Sequence, residues 1–177
     1  MTGLTPIAQR FVVHWGEMGT RWGLNRTMAQ IHALLFISDR PLHAEEICNT
    51  LEVARSNVSN SLRELQNWQV VKLVHLPGDR RDHFETIKDV FEMFRVIGTE
   101  RKRRELDPTV TTLRECIRTA DRKSAADAYA IQRLDELADF FELSASWFDK
   151  MNRVSSKRLQ KAMKLGEKIF ALLGIKD

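Results

Sequence analysis

Residues 41–86 read PLHAEEICNTLEVARSNVSNSLRELQNWQVVKLVHLPGDRRDHFET. Ile47, Cys48 and Leu51 recur at helical spacing, His43 and Glu46 stand where a capping box would start that helix, and Glu52 to Ala54 make a tight turn. A second helix follows. At 100° per residue Val58, Leu62 and Leu65 fall in one narrow arc and must face a core. The opposite arc carries Ser56, Asn60, Arg63 and Asn67, flanked by Asn57 and Ser59, with Arg55 at the helix start. Then Val70, Val71, Leu73, Val74 and Leu76 form a β-prone run, Pro77, Gly78 and Asp79 turn it, and Arg80, Arg81, Asp82, His83 and Phe84 return. Helix, turn, helix and basic hairpin in that order are the layout of a winged helix-turn-helix.

The polar arc is the chemical argument. Asn and Arg match the donor and acceptor patterns on base edges in a major groove, while Ser and Asn at a helix start reach phosphates. The N-H groups of that helix start add partial positive charge. A helix face kept only for solubility would carry Glu and Lys pairs, which are scarce here. Between Val53 and Arg81 stand the five cations Arg55, Arg63, Lys72, Arg80 and Arg81 against the two anions Glu64 and Asp79. An arginine-tipped hairpin can lay a guanidinium in a narrow minor groove; an exposed loop in which Asp79, Arg81 and Asp82 pair with one another is the alternative.

Outward from this stretch the chain reads as helix. Thr5-Pro6 starts one, with Ile7, Phe11, Trp15, Met18 and Trp22 along a stripe and Gly23 at its end. Gly16 and Gly19 suit close helix packing. Asn25 caps the next helix, whose apolar side is Ile31, Leu34, Leu35 and Phe36, before Asp39 to Pro41 stop it. Beyond the hairpin, a helix over 87–104 carries Val90, Phe91, Phe94 and Ile97, and Asp107-Pro108 restarts another with Val110, Leu113, Ile117 and Ala120 inward. Ser124 is the expected cap of a long helix over 125–154. Its seam of Ile131, Leu134, Ala138, Phe141, Ala145 and Phe148 is widened by Leu137, Phe140, Trp147 and Met151 into a bundle face. Ser155 opens a last helix with Leu159, Met163, Ile169, Phe170 and Leu173. The fold class is therefore mainly α with a small β-wing. Residues 1–40 are supporting and dimerising helices, 41–86 the winged core, and 87–177 a helical dimerisation and effector region.

Composition closes off other classes. The 177 residues carry 43% hydrophobic and 29% charged residues, only 8 glycines and 4 prolines, and a formal charge of +4. No membrane span or signal peptide is evident, so a cytoplasmic place is expected. Cys48 and Cys116 are too few for a disulfide framework or zinc site and read as core residues. His14, His32, His43, His75 and His83 lack metal-ligand spacing. No nucleophile with a base, phosphate loop or carboxylate pair is present, so no enzyme, cofactor or metal is expected.

The segments WGLNRTMAQIHALLFISDRPLHAEEI (22–47), RSNVSNSLRELQNW (55–68) and VVKLVHLPGDRRDHFE (70–85) resemble the GbsR/MarR group of bacterial transcriptional regulators, from about Phe11 to Phe94. The resemblance favours the GbsR branch. It implies a homodimer on a palindromic double-stranded operator, usually a repressor, with Arg55, Ser56, Asn57, Ser59, Asn60 and Arg63 on the recognition helix and Arg80 and Arg81 on the wing as DNA contacts. It also implies a small-molecule effector of the quaternary ammonium osmoprotectant type. Phe91, Phe94, Phe140, Phe141, Trp147 and Phe148 are the aromatic residues that would cage it, or they are core. Three positions depart from relatives: Ala54 replaces a capping serine, and Glu52 and Gln69 replace glycines. A winged-helix module for protein interaction and oligomerisation, without sequence-specific DNA binding, is the alternative function.

Overall fold

Helix α1 (Pro6–Arg21) begins at Thr5, whose hydroxyl accepts the Ala8 N-H at 3.3 Å, and α2 (Arg26–Ile37) begins at Asn25, whose side chain accepts from Thr27 and Met28. The close packing expected at Gly16 and Gly19 is present, and of the aromatic stripe Phe11 and Trp15 pack half-buried against the core. Ile7 and Trp22 are exposed, whereas Val12, Gly16 and Gly19 are buried. The reason is steric: a Cβ on Gly16 would lie 2.6 Å from Gln30 Cγ, and one on Gly19 2.4 Å from Ala29 Cβ. The bare glycine face lets α1 and α2 approach, leaving the wider aromatic edge half-covered. A computed structural model describes residues 1–121 and 125–172, the side chains of 125, 126 and 167–172 excepted.

A two-residue strand β1 (Leu42–His43) precedes α3 (Ala44–Leu51), α4 (Arg55–Asn67), β2 (Val71–Val74) and β3 (His83–Thr86). The wing is a three-stranded antiparallel sheet in the order β1-β3-β2, with Leu42 opposite Phe84, His43 opposite His83, and Leu73 also opposite Phe84. Strand β1 was missed because two residues carry no alternation to read. Val58, Leu62 and Leu65 of α4 enter one core with Ile31, Leu34 and Leu35 of α2, Ile47 and Leu51 of α3, and Val71 and Phe84 of the wing. Apolar burial of this kind stabilises by about 25 cal/mol per Å² and holds α4 on one side only.

The chain divides into two units, Met1–Ile97 and Gly98–Asp177. Helix α5 (Val90–Arg101) starts three residues later than periodicity suggested, because Lys88 is occupied elsewhere. Its ammonium donates to the carbonyls of Leu35 (2.7 Å), Phe36 (2.9 Å) and Ser38 (2.5 Å), capping the C-terminus of α2. Partial burial draws that ammonium below the usual lysine range.

The helix expected to restart at Asp107 does not stop beforehand. A π-helical turn (Lys102–Leu106) leads straight into α6 (Asp107–Thr119). Pro108 cannot donate to the preceding turn, and a widened turn is one way for a helix to run past such a residue. Helix α7 (Ala125–Asn152) packs on α6 through Ile117 and the fully buried Ala138. Arg114 of α6 ties to Asp135, Asp139 and Glu142 at 2.8, 2.7 and 2.8 Å. The expected seam is the half-buried side of α7, while Leu137, Phe140, Leu143 and Trp147 are exposed. Helix α8 (Ser156–Leu172) starts where Ser155 indicated. The Ser124 cap and Leu173 lie outside the described residues, as do the side chains of Ile169 and Phe170. Of the two cysteines read as core, Cys48 is half-buried and packs against the core, whereas Cys116 is exposed on the outer side of its helix.

Candidate nucleic-acid interface

Helix α3 is started by His43, whose Nδ1 lies 3.3 Å from the Glu46 N-H, while the Glu46 carboxylate accepts the His43 N-H at 2.9 Å. The capping box expected from sequence is present. The helix ends on Glu52 at φ 57°, in the left-handed region, and Gln69 after α4 stands at φ 58°. Both positions therefore hold a conformation that favours glycine with a side chain attached. That costs of order 1 kcal/mol each.

Helix α4 begins at Ala54 with no side chain accepting from its first turn. Ser56 does not take over the cap, because it sits within the helix, where its hydroxyl is past the free N-H groups it would need to reach. Those free N-H groups remain available to an external acceptor. Arg55, Ser56, Asn57, Ser59, Asn60 and Arg63 are all exposed, and Val58, Ser61, Leu62 and Leu65 are buried on the other side. Arg63 Nη1 reaches Asn60 Oδ1 at 3.5 Å, a weak tie that leaves both groups free to reorient.

The two wing arginines differ. Arg80 is exposed and has no hydrogen bond or ion pair among the described residues. Arg81 is held: its Nε donates to Asp79 Oδ1 and Oδ2 at 2.9 and 3.0 Å, its Nη2 to Oδ2 at 2.5 Å, and its Nη1 to His43 Nε2 at 2.8 Å. The Arg81 guanidinium keeps the Asp79 carboxyl well below the usual carboxylate range. The Asp79–Arg81 pairing entertained as an alternative from sequence is thus present, while Asp82 lies near His75 at 4.0 Å instead. An open hollow of about 460 Å³ separates α4 from the wing, and Arg55, Ser59, Arg63, Gln66 and Arg81 line it.

A profile of the MarR family matches residues 22–82, the span from the end of α1 to the wing tip. Over that span the chain carries a winged helix-turn-helix of the MarR family. The family is one of transcriptional regulators rather than enzymes. The HTH-type transcriptional repressor GbsR of Bacillus subtilis (strain 168) is 24% identical over 157 residues, covering 87% of this chain and 83% of that protein, a distant relationship. A crystal structure described as that of a transcriptional regulator superposes with a TM-score of 0.66 at 20% identity, over 83% of this chain and 96% of that one, and shares the fold.

Of the six aromatic residues considered for an effector cage, the fold brings three together. Phe141, Trp147 and Phe148 line an open hollow of about 910 Å³ with Gly98, Arg101, Lys102, Glu105, Leu106 and Thr109. Gly98 leaves room for the Phe148 ring, since a Cβ there would lie 2.6 Å from Phe148 Cζ and the ring would have to shift. Phe140 is exposed and does not line it; Phe91 and Phe94 belong to the other unit. Sequence periodicity placed Phe91 and Phe94 on one apolar helix side and the other four on a later one, with nothing local to show whether the two meet. Among the described residues no group of histidines, cysteines and carboxylates is arranged to hold a metal ion, and no helix is long and apolar enough to cross a membrane.

Proposed function

We propose that this regulator binds a palindromic double-stranded operator as a homodimer in the cytoplasm, acting as a repressor whose DNA affinity a small molecule modulates. The carrying observation is the one-sidedness of α4, with Arg55, Ser56, Asn57, Ser59, Asn60 and Arg63 exposed while its apolar arc is buried beside an arginine-bearing wing. Asn60 and Arg63 are the base readers; Arg55, Ser56, Asn57 and Ser59 hold phosphates beside the helix start, and Arg80 and Arg81 enter the minor groove. Two copies would set half-sites about one helical turn apart. Exposed Leu137, Phe140, Leu143 and Trp147 on α7, with Ile7 and Trp22 on α1, supply apolar surface for pairing. The hollow lined by Phe141, Trp147 and Phe148 offers aromatic faces to a quaternary ammonium effector, with Glu105, Arg101 and Lys102 at its polar side.

Sequencing duplexes selected from genomic DNA by the purified protein tests this. Recovered sites with two-fold symmetric half-sites support it, and binding should fall steeply, by about 10³-fold for six phosphate contacts, between low and moderate salt. Selection of no common sequence, with salt-insensitive binding to a protein partner, would instead indicate an interaction module.

A further inference from the structure

Histidine is an unusual choice at a helix start, where Ser, Thr, Asp and Asn are preferred for the reach of their short side chains. The structure gives the reason. One edge of the His43 ring faces its own helix, with Nδ1 3.3 Å from the Glu46 N-H, and the other faces the wing, with Nε2 accepting from Arg81 Nη1 at 2.8 Å. No short capping side chain spans both. The ring also stands edge-on to His83 across the β1–β3 pair, with centroids 5.5 Å apart, and the His83 Nδ1-H donates to the Arg81 carbonyl at 2.9 Å. Strand β1, the start of α3 and the wing tip thus meet at one imidazole.

We propose that His43 is a positioning residue that aims the wing: its Nε2, with the Asp79 carboxylate, fixes the Arg81 guanidinium so that its remaining donors face DNA. Arginine has five N-H groups. The Nε-H and one on Nη2 go to Asp79 and one on Nη1 goes to His43, so one N-H on each terminal nitrogen stays free. Two donors in fixed orientation suit a phosphate or a groove edge, and holding them in place removes ordering cost at binding. A neutral imidazole has one lone pair, so the cap and the wing draw on the same acceptor. The second half of the capping box, the His43 N-H to Glu46 bond at 2.9 Å, keeps α3 started while that lone pair serves Arg81. The aiming role rests on the DNA-binding proposal above; the wing-holding role does not.

Two substitutions separate the two edges of the ring. Asparagine puts an acceptor where Nδ1 stands and nothing at Nε2, whereas glutamine reaches toward the Nε2 position. His43→Asn should keep or raise the thermal midpoint, speed amide hydrogen exchange in residues 71–86 about tenfold, and weaken binding to a mixed-sequence duplex about fivefold. His43→Gln should restore much of the wing protection at some cost in thermal midpoint. Arg81→Ala combined with His43→Asn should bind no more weakly than Arg81→Ala alone. Wing exchange unchanged by His43→Asn, equal loss of protection in both single variants, or binding losses that multiply in the double variant would each overturn the proposal. If the unsubstituted protein bound no duplex, the DNA-binding reading would fall, while the exchange result would still decide whether His43 holds the wing.

Discussion

His32 lies inside α2 with 5% of its surface exposed, and its Nε2 has no hydrogen-bond partner among the described residues. Burial lowers its pKa from 6.5 to about 4. The folded state therefore holds this proton less tightly than the unfolded chain does, and the sign follows by linkage. Stability is complete above about pH 6.5, falls as pH drops through the interval down to about 4, and falls no further from this group below that. At about 1.4 kcal/mol per pH unit between the two values, full protonation costs about 3 kcal/mol, and about 2 kcal/mol is already lost at pH 5. That is a sizeable share of a typical stability of about 5–15 kcal/mol. The perturbation is His32→Leu, which fills the site without a titrating group or an orphaned nitrogen. Urea unfolding of both proteins at pH 7.5, 6, 5 and 4.5 isolates His32, because the carboxylates contribute alike to both and cancel in the difference. The variant should match or exceed the parent at pH 7.5 and gain on it by about 2 kcal/mol at pH 5. A difference between the proteins that stays constant over this range would refute the reasoning.

At the DNA surface, Arg81→Ala should weaken all duplexes about equally and lower the slope of log affinity against log salt by about 1, whereas Asn60→Ala should change sequence preference, both read by fluorescence anisotropy. Gly19→Ala should destabilise by about 1–3 kcal/mol in chemical denaturation, since its Cβ would lie 2.4 Å from that of Ala29 with no flexible neighbour to move. Ala54→Ser should raise stability by about 1 kcal/mol by supplying the absent cap of α4, and an unchanged thermal midpoint would show that the free N-H groups were already satisfied. Lys88→Met should lower stability by about 1–3 kcal/mol, because it uncaps three carbonyls at the end of α2 while retaining the aliphatic stem.

Period and caps were legible because each depends on a few residues in a row. Thr5, Asn25 and His43 start helices where they were expected to, and Val58, Leu62 and Leu65 face inward because a one-sided helix has no other arrangement. What stayed hidden involves pairs distant in sequence. The close packing expected at Gly16 and Gly19 is there, but which helix they meet could not be read, because the partner residues Gln30 and Ala29 carry no local mark of that contact. Strand β1 exists only through its pairing with β3, in which Leu42 meets Phe84 and His43 meets His83, each about 40 residues further along the chain. The contact between His43 and Arg81 spans 38 residues, and its one local trace was a histidine standing where a serine caps better. The basic run at Arg101 to Arg104 is partly neutralised through contacts on its own helix, where Arg103 and Arg104 turn to the buried Glu100 carboxylate at 2.6 and 3.4 Å.

The departures at Ala54, Glu52 and Gln69 acquire a common meaning in this setting. Each withholds local stabilisation from a joint of the winged head: an uncapped start of α4 and two side-chain-bearing residues at left-handed turns, worth about 1 kcal/mol apiece. The head nevertheless holds one arrangement, so its order must come from ties between elements rather than from within them. Those ties are the apolar core shared with α2, the Lys88 cap on α2, and the His43, Arg81 and Asp79 cluster joining wing to helix start. A head ordered by such links responds to what displaces them more readily than one ordered by its own turns. Under the ligand-controlled release of DNA proposed above, weak joints held by long-range ties would place the control outside the recognition helix itself.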